Sequence, residues 1–102
     1  MSTEQQIQTS VIKYLESIGC YVIKVVTANK SGVPDLHVCI QGRWLSIEMK
    51  KPGFLNTLSP LQKFNLDSIV KAGGLALVAT SVTQVQDFLA QHNLIQPTEE
   101  EI

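Results

Sequence analysis

One predicted β-hairpin constrains the fold of this chain more than any other segment. Residues 33–40 and 43–50 are runs in which side chains alternate in character, and they flank the pair Gln41-Gly42. Folding the segment around that pair as a two-residue turn sets the register of the hairpin. Counting outward from the turn places Asp35 directly opposite Glu48, so the hairpin predicts that two carboxyl groups meet across neighbouring strands.

The same hairpin brings a cation to the two carboxyl groups. Successive side chains of a strand point to opposite faces, so Glu48 and Lys50 share a face. Like charges directly opposite each other on a sheet repel. Because Asp35 and Glu48 would repel each other in this arrangement, we expect a bound metal ion to neutralise their charges.

Composition indicates a single globular domain. The chain has 102 residues, of which 44% are hydrophobic and 17% are charged, and these values are ordinary for a folded domain. We expect the domain to span residues 1–95 and residues 96–102 to form a flexible acidic tail. No apolar run approaches the ~18 residues of a membrane span, and the N-terminus lacks a signal-peptide pattern. We therefore expect a cytoplasmic protein whose two cysteines, Cys20 and Cys39, are reduced core residues.

Hydrophobic periodicity and capping residues predict the order helix, three strands, helix, strand, helix. This order is typical of an α/β fold with a mixed central sheet flanked by helices. Residues 75–80 are almost wholly apolar, so we expect a strand that is buried on both faces. The predicted elements are a helix capped by Ser2 or Thr3 and ended by Gly19, strands over 21–26, 33–40 and 43–50, a helix from Ser59 to Gly73-Gly74 with Leu61, Phe64, Ile69 and Val70 as its apolar positions, the strand over 75–80, and a helix from the capping box Ser81–Gln84 to about His92.

The distribution of charge is more informative than its total. The formal net charge is -1, but all eight Lys and Arg residues lie between Lys13 and Lys71. Residues 1–82 contain these eight cations and five acids, which leaves three positive charges in excess. Such an excess is compatible with a surface that binds phosphate groups.

A four-part pattern carries a resemblance to a known family. The parts are Glu4 and Gln8 on the first helix, the segment 32–36 (Gly-Val-Pro-Asp-Leu), the segment 47–51 (Ile-Glu-Met-Lys-Lys) and the segment 59–62 (Ser-Pro-Leu-Gln). In this order and on these predicted elements, they resemble the virus-type replication-repair nuclease (VRR-NUC) domain in its stand-alone form from phages and bacteria. This family belongs to the PD-(D/E)XK nuclease superfamily, so the resemblance implies a restriction-endonuclease-like core over about residues 4–80.

The resemblance implies a metal-dependent endodeoxyribonuclease that uses Mg²⁺ or Mn²⁺, cations that prefer oxygen ligands. Asp35, Glu48 and the backbone carbonyl of Met49 are then the expected metal ligands, and Glu4 is expected to bind directly or through water. Glu4 also has a simpler explanation, because acids are favoured in the first turn of a helix. Lys50 is expected to orient or help deprotonate the attacking water. Met49 departs from the β-branched residue that we expect at its position, but only its carbonyl is required.

Other residues have two interpretations each. Gln62 matches a glutamine that holds the catalytic lysine or the substrate, and it also fits the capping box of its helix. His37 lies on the same predicted face as Asp35, either as a site residue or as a partly buried structural histidine. Lys30, Ser31 and Lys51 are the predicted DNA-binding residues.

The resemblance further implies branched DNA as the substrate, in particular Holliday junctions, and a homodimer that presents two active sites. Recognition would depend on backbone shape and charge. A flap nuclease or a less selective nuclease of the same fold is an alternative, and so is a catalytically idle DNA-binding module. The implied location is the cytoplasm of a bacterial or phage-infected cell.

Overall fold

The computed structural model describes residues 3–96, which form one four-stranded mixed sheet with helices on both faces. The element order and the α/β class are the predicted ones. The alternative cap Ser2 lies outside the described residues, and so do residues 97–102 of the predicted tail. The elements are α1 (Glu4–Ser17), β1 (Tyr21–Lys24), β2 (Leu36–Ile40), β3 (Arg43–Met49), α2 (Pro60–Lys71), β4 (Leu75–Ala79) and α3 (Val82–Gln91).

The turn between β2 and β3 has the predicted two-residue form. Gln41 and Gly42 both have positive φ angles, 49° and 76°, as a type I′ hairpin turn requires. Ile40 therefore pairs with Arg43, and the register continues to Leu36 opposite Ile47. One step further along, Asp35 lies across from Glu48, as the sequence predicted.

The sheet joins an antiparallel meander to one parallel strand. Its strand order is β1-β2-β3-β4, with β4 parallel to β3 and connected to it through α2. One face of the sheet packs against α1 and α3 and forms the main hydrophobic core. Because these positions alternate along the strands, the opposite face carries the polar members of the hairpin. The core on the α1 and α3 side includes Val11, Leu15, Leu36, Val38, Leu45, Ile47, Met49, Val85 and Leu89.

The opposite face of the sheet is only half covered. Helix α2 packs against β4, and the β1 and β2 side of this face has no covering helix within residues 3–96. We call this uncovered region the open half-sheet, defined by Tyr21, Ile23, His37, Cys39 and Trp44. Register places Tyr21, Cys39 and Trp44 in one row across three strands. Tyr21, Ile23 and Trp44 are 69%, 45% and 49% exposed.

Several predictions of burial were wrong. Strand β4 was expected to be buried on both faces, but Leu75 to Val78 are half-buried, because β4 is an edge strand of the sheet. Helix α2 buries Leu66 instead of the apolar positions chosen from the sequence, since only one narrow side of the helix reaches the sheet. Of those chosen positions, Ile69 is half-buried, whereas Leu61, Phe64 and Val70 are exposed.

The two cysteines also differ from the prediction in part. Both are free thiols, but only Cys20 is buried, whereas Cys39 is exposed. Cys39 projects from β2 onto the open half-sheet, where no element covers it. None of the helices within residues 3–96 is long and apolar enough to cross a bilayer.

The N-caps of all three helices are predicted residues, and two of the three helices have a complete capping box. Thr3 and Ser59 each form a full capping box with the glutamine three residues on. Ser81 accepts from the backbone N–H of Gln84, but the Gln84 side chain accepts from Thr80 instead of from Ser81. The predicted capping box at Ser81 is therefore only half formed.

Gly32, in the loop before β2, lies directly against the backbone at the start of α2. Its φ angle is +79°, and a Cβ atom there would lie 2.7 Å from the backbone carbon of Leu61 and 2.9 Å from the backbone nitrogen of Gln62. Side chains rarely adopt this φ, and backbone atoms cannot move aside cheaply. This loop therefore depends on a residue without a side chain.

We expect Gly32→Ala to lower the free energy of unfolding by about 2 to 4 kcal/mol, from φ strain together with the steric clash. Gly53→Ala is the matched control, since Gly53 has a similar φ of +89° but nothing within 4 Å of the added Cβ. The control should cost about 1 kcal/mol. Urea denaturation measures both, and equal losses would contradict the importance of the contact with α2.

Candidate metal and catalytic centre

Asp35 is held at the entrance to β2 by backbone contacts on both sides. It follows Pro34, which is fully buried and cannot donate a ladder hydrogen bond. Its carbonyl accepts from the N–H of Val25 at 2.8 Å. Its Oδ2 accepts from the N–H of Met49 at 2.7 Å. The carboxyl group is thereby fixed against the end of β3, next to Glu48.

Glu48 is a buried carboxyl group beside another carboxyl group. It is 4% exposed. Burial raises its pKa to about 7, and the negative charge of Asp35 adds to the increase, whereas the Lys50 ammonium opposes it. The negative charge of Glu4 also contributes to the higher pKa. At neutral pH the protein alone therefore does not fully stabilise the negative charge of ionised Glu48.

Lys50 lies beside Glu48 and is held from two directions. Its Nζ is 3.9 Å from Glu48 Oε2. It donates to Gln62 Oε1 at 3.2 Å and to the carbonyl of Thr57 at 3.4 Å. Its backbone N–H donates to the carbonyl of Ala79 at the end of β4. The ammonium group is thus directed toward the carboxylates instead of extending into solvent.

Gln62 forms contacts that fit both interpretations of the sequence. Its Oε1 accepts from the backbone N–H of Ser59 at 3.0 Å and so completes the capping box of α2. The same oxygen accepts from Lys50 Nζ, and the Nε2 donates to Glu48 Oε2 at 3.2 Å. The side chain is therefore a bridge between the cation and the buried carboxyl group. Gly32 sets the position of this bridge, because it packs against the backbone of Gln62.

Glu4 does not join the two other acids as a third close ligand. It lies exposed in the first turn of α1, near enough to Glu48 for its charge to affect the pKa. Within residues 3–96, no three His, Cys, Asp or Glu side chains come close enough together to hold a metal ion. The structure brings together Asp35 and Glu48, and leaves Glu4 at the edge.

The three predicted DNA-binding residues are all exposed. Lys30 and Ser31 lie in the loop before β2, and the carbonyl of Ser31 accepts from Asn65 of α2. Lys51 lies directly after the site, with its Nζ 5.8 Å from the centre of the Phe54 ring. They flank the site on two sides, and their role in DNA binding stays a prediction.

His37 belongs to a hydrogen-bonded group next to the site. Its Nδ1 lies 2.9 Å from the hydroxyl of Ser46, which is fully buried and accepts from Trp44 Nε1 at 2.8 Å. Because the hydroxyl oxygen accepts a hydrogen bond from Trp44, the O–H of Ser46 is available to donate to His37 Nδ1. Burial lowers the pKa of His37. These contacts favour the structural interpretation of this histidine.

Sequence reasoning missed two parts of the site. The carbonyl of Thr57 holds Lys50, and no pattern in the 51–58 loop predicts this contact. The close approach of Gly32 to α2 was also missed, although a glycine just before an X-Pro-Asp segment signals a backbone position that a side chain would disturb.

The donor set fits a hard divalent cation. Asp35 and Glu48 supply carboxylate oxygens from adjacent strands, and the carbonyl of Met49 is part of the same strand end. Such cations bind oxygen ligands and stabilise the ionised form of closely spaced carboxyl groups. Burial and the nearby negative charge of Asp35 raise the pKa of Glu48, and a bound cation would favour its ionised form against both.

Comparison with solved structures identifies the fold. A structure described as a VRR_NUC domain superimposes with a TM-score of 0.71 and 28% sequence identity, and the match covers 89% of this chain and 98% of that one. The predicted resemblance to the VRR-NUC domain is confirmed. No family model matches the chain, and no curated protein matches it. The VRR-NUC fold supports a nuclease of the virus-type replication-repair family. In this chain, Asp35, Glu48 and Lys50 lie together at the open end of the hairpin formed by β2 and β3.

Proposed function

We propose that this VRR-NUC domain is a metal-dependent, structure-selective DNA endonuclease that resolves Holliday junctions as a homodimer. The observation that carries the proposal is the buried Glu48 beside Asp35, with Lys50 linked to Glu48 through Gln62. Two acids and an oriented ammonium group suit phosphodiester hydrolysis, which needs a nucleophilic water and stabilisation of negative charge on the phosphoryl oxygens.

Asp35, Glu48 and the carbonyl of Met49 would hold the cation, Mg²⁺ or Mn²⁺. When bound, such a cation acts as a Lewis acid on the phosphoryl group and lowers the pKa of a bound water. The hydrogen bond from the N–H of Met49 keeps the Asp35 carboxyl group oriented during turnover. Burial of Glu48 excludes competing water from one side of the site.

Lys50 contributes a positioned hydrogen-bond donor. An ammonium group has three N–H bonds. Gln62 and the carbonyl of Thr57 accept two of them. The third is then free to reach a phosphoryl oxygen or the attacking water. Such a hydrogen bond stabilises the negative charge that develops on the phosphoryl oxygens. It accelerates hydrolysis because the donor is already oriented before the substrate arrives.

We expect Gln62→Ala to lower the cleavage rate by about tenfold to a hundredfold, because Lys50 loses its partner in the site. Gln84→Ala is the matched control, since Gln84 is the third residue of α3 and also bonds a backbone N–H at its helix start. Both variants should lose about 1 kcal/mol of unfolding free energy. Cleavage assays and thermal melts separate the two effects, and equal activity in both variants would contradict the bridging role.

The homodimer is supported by the open half-sheet. A helix is about 10 Å wide and strands are about 4.8 Å apart, so one helix covers roughly two strands. Helix α2 covers the β3 and β4 side, which leaves room for one more helix over β1 and β2. Asn65 bonds the loop before β2, so the side of α2 that carries Asn65 and Leu61 borders this space.

The open half-sheet and that side of α2 are complementary under a two-fold axis. Tyr21, Ile23 and Trp44 form an apolar floor, and Leu61 and Phe64 are 54% and 66% exposed on the helix above it. At whole side-chain areas of about 150 to 250 Å², the exposed fractions of these five residues correspond to roughly 400 to 700 Å² of accessible surface. That is half or more of the ~800 Å² that each partner buries in a standard interface.

The charge of this surface favours protein over nucleic acid as its partner. The rows of the open half-sheet, including Ser46 beside His37, contain no Lys or Arg. A surface that binds phosphates needs such cations. In a two-fold dimer, the apolar floor of each copy would contact α2 of the other copy, so both surfaces would be covered at once.

Cleavage of a synthetic four-way junction tests the function. The junction, a flap and a linear duplex are each incubated with Mg²⁺, Mn²⁺ or EDTA. We expect paired, symmetric cuts in the junction, weaker cleavage of the other substrates, and none in EDTA. Preferential cutting of the flap would favour a flap nuclease. Binding to the junction without cleavage in either metal would overturn the enzymatic function.

The dimer has a test of its own. Tyr21→Lys should give a monomer in sedimentation velocity, because it places a charge in the apolar floor. Val70→Lys is the control, since Val70 is 56% exposed on the other side of α2. It should leave the dimer intact. A wild-type monomer at micromolar concentration, or a dimer that survives Tyr21→Lys, would contradict this interface.

A further inference from the structure

A cleft next to the candidate catalytic centre has no part in the chemistry described above. It has a volume of about 800 Å³. Its walls come from residues 3–10 at the start of α1, the 51–54 segment after β3, and residues 80–82 between β4 and α3. Small-molecule sites have volumes of about 300 to 1,000 Å³, so the cleft has room for a nucleotide.

The lining of the cleft suits a planar base with a phosphate at its edge. Ile7, Phe54 and Val82 provide apolar surface, and the hydroxyls of neighbouring Ser and Thr residues surround it. Among the described residues that line it, Lys51 carries a charge and no carboxylate is present. Phe54 is 50% exposed, with Lys51 Nζ near its ring. An aromatic face beside a cation is a combination that binds single-stranded nucleic acid.

The cleft and the catalytic centre meet at the same end of the sheet. Lys51 lines the cleft and directly follows Lys50. Thr80 lines it and directly follows Ala79, whose carbonyl accepts from the N–H of Lys50. Because side chains alternate along the chain, Lys50 points to the carboxylates and Lys51 to the cleft. The mouth of the cleft is therefore adjacent to the catalytic centre, within reach of a DNA strand bound there.

We propose that this cleft binds one nucleotide that leaves its base pair at the branch point of the substrate, with its base on Phe54 and its phosphate at Lys51. The inference rests on the proposed DNA endonuclease function. A base inside a continuous duplex has no free face, and extracting it costs a few kcal/mol of stacking and pairing energy. A base pair at the branch point of an open junction lacks a stacked neighbour on one side, so its base enters at lower cost. The cleft thus makes the protein selective for branched over linear DNA.

Substitution of Phe54 tests the proposal directly. Phe54→Ala should weaken binding to a four-way junction by about tenfold, within the range measured for removal of base–aromatic stacking. Binding to the matching linear duplex should not change. Leu55→Ala is the control, because Leu55 is 40% exposed on the same loop but does not line the cleft. Equal junction affinities of the two variants would overturn the proposal.

Two further measurements separate the base from the phosphate. With 2-aminopurine at the branch-point nucleotides, binding of wild-type protein in EDTA should raise the fluorescence severalfold as the base leaves the stack, and Phe54→Ala should abolish the rise. Lys51→Gln should reduce the slope of log affinity against log salt by about one. An unchanged slope would overturn the phosphate contact, and an absent fluorescence change would overturn the base contact.

These outcomes distinguish the proposal that the cleft binds a nucleotide from the proposal that the protein is a nuclease. Junction cleavage with no effect of Phe54→Ala and no fluorescence change would leave the nuclease standing and reject the cleft. A fluorescence change that depends on Phe54, without cleavage in any metal, would support the cleft and reject the nuclease. No binding to the junction would reject both. Thermal melts verify that Phe54→Ala and Leu55→Ala are folded.

Discussion

Replacement of Lys50 by alanine is expected to lower the single-turnover rate of junction cleavage by about a hundredfold to a thousandfold, the usual loss when one oriented donor to a developing oxyanion is removed. The substitution removes the ammonium group that lies 3.9 Å from Glu48, and it leaves the Ser59 N–H as the remaining donor to Gln62 Oε1. Junction affinity should stay within about tenfold, because the other cations remain. The rate is measured at saturating protein, so that binding does not limit it.

Lys51→Ala is the control for this result. Lys51 has the same charge and is the next residue, but it is exposed and its contact is with Phe54. It should reduce affinity and leave the rate at saturation within a few-fold of wild type. If Lys50→Ala retains the full rate, or if the two variants lose rate equally, Lys50 does not have the catalytic role proposed for it.

Glu48→Gln is expected to abolish metal-dependent cleavage and to stabilise the metal-free protein at pH 8. Glu48 has a pKa of about 7 in the folded protein against an ordinary 4.5, so the folded state binds its proton more tightly than the unfolded state does. The contribution of Glu48 to stability is fully present below pH 4.5 and is lost as the pH rises through 7. The shift corresponds to about 3 kcal/mol.

Urea denaturation of wild type and Glu48→Gln in EDTA measures this effect. Glutamine has nearly the same shape and carries no charge, so the variant should be more stable than wild type by about 2 to 3 kcal/mol at pH 8. The difference should shrink toward zero near pH 4.5. Mg²⁺ should stabilise wild type at pH 8 and leave the variant almost unaffected. A variant that is less stable than wild type at pH 8 would contradict the repulsion between Glu48 and Asp35.

The hairpin shows why part of this site was predictable. Its register depends on local geometry: a two-residue turn with positive φ at Gln41 and Gly42 pairs the strands outward in one way only. Because side chains alternate with a period of two, Asp35 and Glu48 then have to face each other. The helix starts at Thr3 and Ser59 were predictable for a similar reason, since a capping box involves residues three positions apart.

Burial was harder to predict, because it depends on contacts between distant segments. Leu61, Phe64 and Val70 are as apolar as Leu66, but only Leu66 faces the sheet. Strand β4 has the apolar run of a central strand, yet it lies at the edge of the sheet. A hydrophobic run reports the capacity to be buried, whereas the neighbours that bury it come from elsewhere in the chain.

Three features of this protein follow from its amino-acid sequence: the order of the elements, the turn that brings Asp35 opposite Glu48, and the resemblance to the VRR-NUC domain. The interactions among the site residues depend on the tertiary fold. It buried Glu48, placed Gln62 between Glu48 and Lys50 through the contact of Gly32 with α2, and left Glu4 at the edge. Local geometry controls short-range pairing and capping, but the pKa of a carboxyl group and the direction of an ammonium group depend on what the rest of the fold packs around them.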